Sequence, residues 1–221
     1  MTENDLTAPI RVLVVEDNPA DARLVYELLL ETGVRRFETQ FADRLGLALH
    51  RLQRESFDAL LLDLSLPDAQ GIESIAAVQA VASDLPILIL TGLNDEDVAL
   101  EAVSNGAQDY LVKGQSNTAL LTRALRYAIE RKRTEQRLTY LAQFDPLTNL
   151  PNRALFRDRL EQALKRAKRS AHSVGLMFLD LDHFKDINDT LGHEAGDKLL
   201  TAVTGHFPTL LRQAKRSDRS G

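Results

Sequence analysis

Through residue 117 the apolar positions of the chain fall into two alternating patterns. Strand candidates are Ile10–Val15, Glu38–Phe41, Ala59–Asp63, Ile87–Leu90 and Tyr110–Val112, with continuous apolar runs at Leu60-Leu61-Leu62 and Ile87–Leu90. Such runs suit strands covered on both faces, which present no polar side to water. Between them, apolar residues recur at helical spacing, as in Leu24, Val25, Leu28 and Leu29, and predict helices near Ala20–Glu31, Leu45–Arg54, Ile72–Val81 and Asp95–Ser104. Five strand–helix units in series predict an α/β fold, an open five-stranded parallel sheet with right-handed crossovers. Ligands of such sheets bind beyond the carboxyl ends of the strands.

The pattern changes at Thr118. From there to about Gln143 the chain has no Gly or Pro and is rich in good helix formers. Leu121, Leu125, Ala128, Ile129, Leu138 and Leu141 form an apolar stripe that Arg131-Lys132-Arg133 interrupts. One long helix fits, either paired with a copy of itself or lying as a single surface helix. A turn-rich stretch, Phe144 to Arg153, opens a further segment. An amphipathic helix at about Ala154–Lys168, a strand at Val174–Leu179 and a helical run around Gly196–Val203 are predicted to follow. Gly205 to Gly221 is polar and weakly patterned, with Pro208 inside it. The resulting division is a first domain at 8–117, a helical linker at 118–143 and a second region at 144–221.

Composition narrows the chemistry. The absence of Cys excludes disulfides and thiolate metal sites. The polar amino-terminal residues and the lack of any apolar run of membrane-spanning length point to a cytoplasmic protein. The net charge of −5 is unevenly placed: residues 1–118 hold 8 Lys and Arg against 20 Asp and Glu, and the remainder hold 19 against 12. An acidic first half suits a bound cation. A basic second half suits a phosphate-bearing ligand, and solvated helix faces explain it equally well. Nucleic acid is disfavoured as a partner, because Arg123–Arg137 and Lys165–Arg169 offer basic charge without a recognised docking motif and with little aromatic content.

Two clusters of acidic residues sit at the carboxyl ends of apolar runs. Glu16 and Asp17 follow Val12-Leu13-Val14-Val15, and Asp63 follows Leu60-Leu61-Leu62; Asp180 and Asp182 follow Leu176-Met177-Phe178-Leu179. Gathered carboxylates repel one another unless a cation joins them. Singly, each has a plainer explanation: Asp17 or Asn18 as a helix cap before Pro19, Thr91 as a turn former before Gly92, Lys113 as a solvated charge at a strand end. Jointly, at the ends of strands in one parallel sheet, they suit Mg²⁺ and a phosphoryl group.

Glu16-Asp17, Asp63 followed by Pro67 and Gly71, Thr91-Gly92, and Tyr110-Leu111-Val112-Lys113 together resemble the receiver domain of two-component response regulators, over roughly residues 8–117. The resemblance implies a flavodoxin-like fold with Asp63 as phosphoacceptor. It also implies Mg²⁺ held by Glu16, Asp17, Asp63 and the backbone carbonyl of Ser65, Lys113 paired with the phosphoryl oxygens, and Thr91 and Tyr110 as switch residues. The implied partner is a sensor histidine kinase or phosphotransfer protein, with homodimer formation on phosphorylation. Gly114 departs from the pattern, because many relatives place Pro there, and a less rigid loop is expected.

Phe144-Asp145-Pro146-Leu147-Thr148-Asn149-Leu150-Pro151-Asn152-Arg153, with Asp180-Leu181-Asp182-His183-Phe184-Lys185-Asp186-Ile187-Asn188-Asp189 and Gly192-His193-Glu194-Ala195-Gly196-Asp197, resembles the opening half of a GGDEF diguanylate cyclase domain. The resemblance implies a partial α+β domain in which Asp180 and the Leu181 carbonyl bind metal. Asn188 and Asp197 would bond the guanine of GTP, and the backbone at His183 and Phe184 would approach its phosphates. His183 and His193 lack a suitably spaced third ligand for zinc. The Gly-Gly-Asp/Glu-Glu-Phe segment that names the family does not occur in these 221 residues. The expectation is therefore a phosphorylation-controlled response regulator whose cyclase-type output module is incomplete here and inactive. The alternative is an active cyclase, converting two GTP to cyclic di-GMP, whose remaining residues lie beyond Gly221.

Overall fold

The computed structural model describes residues 8–30, 37–92, 96–170 and 172–217. Two compact units divide the chain after Gln136. In the first, β1 (Ile10–Val15), α1 (Pro19–Leu30), β2 (Phe37–Ala42), α2 (Leu45–Leu52) and β3 (Ala59–Asp63) are followed by a small hairpin, β4 (Ser65–Leu66) and β5 (Ala69–Gln70). Then come α3 (Glu73–Val81), β6 (Ile87–Thr91), α4 (Glu96–Ser104), β7 (Asp109–Val112) and α5 (Thr118–Gln143), which runs across the division. Two expected helix ends, Glu31 and Asp95, lie outside the described residues.

The main sheet has the order β2-β1-β3-β6-β7, and every pairing is parallel. Its central strands β1, β3 and β6 are apolar at nearly every position because both faces are covered, whereas the edge strand β2 carries Glu38, Thr39 and Gln40. Alternate residues of β1 enter different cores. Val12 and Val14 join Leu61, Leu88 and Leu90 against α1 and α5, whereas Leu13 and Val15 join Leu60, Leu62, Ile87 and Ile89 against α2, α3 and α4. The first half of α5 belongs to this packing: Leu121, Leu125, Ala128 and Ile129 are buried on the sheet, which accounts for the front of the apolar stripe. The linker helix is thus anchored in the first unit at its beginning, and the break at Arg131–Arg133 comes where that burial ends.

The second unit contains the end of α5, α6 (Arg153–Ser170), α7 (Phe184–Leu191) and α8 (His193–Ser217). Asn152 starts α6 by accepting hydrogen bonds from the amides of Ala154 and Leu155 at 3.0 and 3.1 Å. Gly192, at a φ of 85°, ends α7 in a conformation open to glycine. The strand expected at Val174–Leu179 is not formed. Residues 172–181 have no regular structure, and Met177, Phe178 and Leu179 are 77%, 84% and 68% exposed. A strand is held by ladder bonds from neighbours, and no described residue pairs with this run. The described second unit is consequently helical, with one isolated bridge between Phe144 and Pro151. The helix beyond Gly205 also exceeds expectation: α8 passes Pro208 and continues to Ser217, through a run rich in Leu, Arg, Gln, Ala and Lys that favours helix.

Candidate functional site

Register along the sheet builds the first site. Val15 lies beside Leu62, so the next residues, Glu16 and Asp63, emerge together at the carboxyl ends of β1 and β3. Thr91 pairs with Val112, and the Lys113 amide donates to the Thr91 carbonyl at 2.8 Å, which brings Lys113 over the same edge. Carboxylate oxygens of Glu16, Asp17 and Asp63 all lie within 4.8 Å of one another. Glu16 and Asp63 are only 4% and 5% exposed, whereas Asp17 is open to solvent.

One ammonium compensates much of this charge. Lys113 Nζ lies 2.6 Å from Glu16 Oε2, 2.7 Å from Asp63 Oδ2 and 3.3 Å from Asp21 Oδ2. Burial pushes the Glu16 carboxyl above its ordinary value, and the Asp63 charge adds to that rise while Lys113 opposes it. For Lys113, burial alone acts downward, but its bonds to Asp63 and Glu16 outweigh this and hold the ammonium above its ordinary range. The other Asp63 oxygen, Oδ1, accepts the Ser65 amide at 3.0 Å, and Glu16 Oε1 accepts the Asn18 amide at 3.1 Å. Glu16 Oε2 makes no hydrogen bond of proper geometry despite its burial. Three hard carboxylate oxygens that converge within 4.8 Å, two of them from buried residues, fit a hard divalent cation.

Beside Asp63 opens a cleft of about 470 Å³, bordered by Ser65, Gln70, Gly71, Thr91 and Val98. Thr91 is buried at its edge, and Tyr110 is half-buried against the core under α2, α3 and α4. Gly114 turns the chain at a φ of 75°, a backbone conformation that proline cannot adopt.

Comparison with known proteins agrees with this geometry. Residues 12–125 match the response regulator receiver domain family. The chain belongs to the response regulator receiver family. Its residues 142–221 match a second family, described as diguanylate cyclase, GGDEF domain. Similar proteins include the response regulator PleD of Caulobacter vibrioides, 28% identical over 204 residues that cover 86% of this chain and 42% of PleD. The diguanylate cyclase DgcP of Pseudomonas aeruginosa is 51% identical over 77 residues, covering 35% of this chain and 12% of DgcP. The chain therefore spans less than half the length of these curated relatives. Among solved structures, a response regulator of Chloroflexus aurantiacus aligns with a TM-score of 0.51 and 28% identity, over 56% of this chain and all of the other. A CheY-like receiver domain protein of Methanospirillum hungatei gives 0.51 at 22% identity, over 58% of this chain and 99% of the other, and speaks to the fold. Among the described residues, no helix is long and apolar enough to cross a membrane.

In the GGDEF region the anticipated residues are less gathered. Asp180 is exposed and Leu181 half-buried at the end of the irregular run. Among the described residues, the one acidic group whose ligand atoms converge is that of the receiver. His183 adopts a φ of 60° at the start of α7, an uncommon backbone state for a residue with a side chain, and its Nδ1 lies 3.0 Å from Asp186 Oδ2. Asn188 and Phe184 lie directly over the backbone of buried Gly196, where a Cβ would collide with the Asn188 carboxamide. Asp197 is exposed on the first turns of α8. Upstream, Asp145 Oδ1 accepts both the amide and the hydroxyl of Thr148, at 2.9 and 2.7 Å, and these bonds hold its carboxyl below the usual range.

Two receiver residues went unnoticed in the sequence. Asp21, in the first turn of α1, reaches Lys113. Asp68, in the β4–β5 turn, accepts the amides of Leu45 and Gly46 at 2.8 Å each and so caps α2, whose own N-cap residue Arg44 makes no side-chain cap bond. Asp21 leaves a faint trace as an acid four residues after Asp17. Asp68 leaves none, because its partners are 22 and 23 residues away.

Proposed function

We propose that this chain is a response regulator in which Asp63 accepts a phosphoryl group in a Mg²⁺-dependent reaction, and that the receiver thereby controls a diguanylate cyclase-type output module. The observation that carries the reading is the convergence of Glu16, Asp17 and Asp63, with Lys113 Nζ 2.7 Å from the Asp63 carboxylate. In the transfer, an Asp63 oxygen forms a bond to phosphorus as the donor's bond to phosphorus breaks and its electron pair departs with the donor; the product is an acyl phosphate. Mg²⁺ held by Glu16, Asp17, Asp63 and the Ser65 carbonyl would supply charge neutralisation to the phosphoryl oxygens. Lys113 adds a second positive charge, and buried Thr91, bordering the cleft, presents a hydroxyl to the same oxygens. Phosphoryl oxygens drawing in Thr91 would reshape the surface around Tyr110, which biases homodimer formation.

The donor is a sensor histidine kinase or phosphotransfer protein, and the setting is the cytoplasm. In the output region, Asp180 and the Leu181 carbonyl serve a metal, His183 and Phe184 the phosphates, and Asn188 and Asp197 the guanine of GTP. The receiver domain spans 8–117, the helical linker 118–143 and the GGDEF region 144–221.

The test is Mg²⁺-dependent labelling from a small phosphodonor such as acetyl phosphate. Wild-type protein is expected to take up label, and Asp63→Asn to take up none. Label persisting in Asp63→Asn would overturn the assignment. Incubating the 221-residue chain with GTP separates the output readings: no cyclic di-GMP is expected, and measurable product would show a working cyclase.

A further inference from the structure

Lys113 carries three N–H donors and faces three carboxylates. Two of them, Glu16 and Asp63, also belong to the group whose oxygens converge as cation ligands; Asp21 does not. The oxygens nearest Lys113 are Glu16 Oε2 and Asp63 Oδ2, both buried beside the place a cation would take. Only the bonds to Asp63 and Asp21 have hydrogen-bond geometry, the latter spanning 92 residues of sequence. A cation and the ammonium therefore compete for the same two carboxylates, and Asp21 is the acceptor outside that competition.

We infer that Asp21 is a positioning residue, which retains the Lys113 ammonium beside Asp63 when Mg²⁺ draws on Glu16 and Asp63. Its side chain is about one-third exposed, so it holds Lys113 at the rim without entering the ion's own shell. Without Asp21, an ammonium displaced by the ion loses its alternative carboxylate and must seek water from a largely buried position. Ion entry then becomes harder. The inference rests on the Mg²⁺ and phosphoacceptor reading of the site, and it adds a role for a residue that binds neither the ion nor the phosphoryl group.

The test is a double-mutant cycle on the full chain, read by calorimetric Mg²⁺ titration and by the initial rate of acetyl phosphate labelling. Asp21→Ala is expected to weaken Mg²⁺ binding by about fivefold, as a partly exposed ion pair allows. In a Lys113→Ala background the same substitution is expected to have little effect, since no ammonium remains to be held. Asp21→Asn, which keeps an acceptor without the charge, is expected to recover part of the loss and guards against a folding defect in the alanine variant. Equal losses in the presence and absence of Lys113 would make Asp21 a bystander charge and overturn the inference. A lowered Tm with unchanged Mg²⁺ affinity would overturn it as well. Wild-type protein that binds Mg²⁺ with the expected Lys113-dependent coupling but takes no label would overturn the phosphoacceptor reading while supporting the role of Asp21.

Discussion

Both halves of this chain carry an apolar run that ends in acids, yet the two runs meet different fates. Val12 to Val15 are fully buried between β2 and β3, and the residues that follow are delivered to the edge of a complete sheet. Leu176 to Leu179 are exposed and without a paired strand, and Asp180 after them joins no converging group of three ligand residues, among the described residues. The difference teaches that a run-plus-acid pattern specifies a site only through its neighbours. Register places Glu16 beside Asp63; nothing comparable fixes Asp180.

Truncation within each run tests that contrast most sharply. Leu62→Ala, in the fully buried β3, is expected to cost about 2–5 kcal/mol of stability by chemical denaturation, the usual range for a core leucine. Phe178→Ala, at 84% exposure, is expected to change it by less than about 0.5 kcal/mol. Similar losses at both positions would erase the distinction between the runs.

Acidification should separate the sites next. Because the folded Glu16 carboxyl is raised above 4.5, proton binding favours the metal-free fold; that contribution is complete below 4.5 and is lost as pH rises through the folded value. Mg²⁺ requires the carboxylate, so affinity measured by titration calorimetry should begin to fall at a higher pH than for an ordinary Glu. Below the folded value it should weaken by about tenfold per pH unit for each proton displaced. Lys113 acts at the other extreme: its contribution to stability is present below the ordinary 10.5 and is lost only as pH rises through the elevated folded value. A Mg²⁺ affinity flat from neutrality down to pH 4 would remove Glu16 from the ligand set.

The smallest of the site-linked effects concerns Asp68, whose two bonds fasten the β4–β5 turn to the start of α2. Asp68→Ala is expected to cost about 1 kcal/mol by thermal denaturation, the typical worth of a helix cap. Asp68→Asn should retain part of that, because its amide oxygen still accepts. No change in either variant would show that α2 is held by its buried face alone.

The succession of strands and the covered faces of the central ones were readable in the sequence because burial on both sides leaves a local mark: unbroken apolar runs bounded by polar ones. The positions of Glu16, Asp17, Asp63, Thr91 and Lys113 followed from the rule that such sheets present residues at their carboxyl ends. The hairpin at Ser65–Gln70 escaped notice because two-residue strands have no period to detect. The strand at Val174–Leu179 was read from the same local mark, and it failed because a strand's hydrogen bonds lie outside itself.

By itself, then, the sequence determined the succession of five strand–helix units, the long helix from Thr118 to Gln143 and the carboxylates available at the strand ends, since each depends on local periodicity or chain order. Only the tertiary structure decided that Asp21 shares Lys113 with Asp63, that Asp68 reaches back to cap α2, and that Leu176–Leu179 lie open to solvent. Contacts across tens of residues depend on the register and crossing of whole elements, and no short stretch of chain encodes them alone.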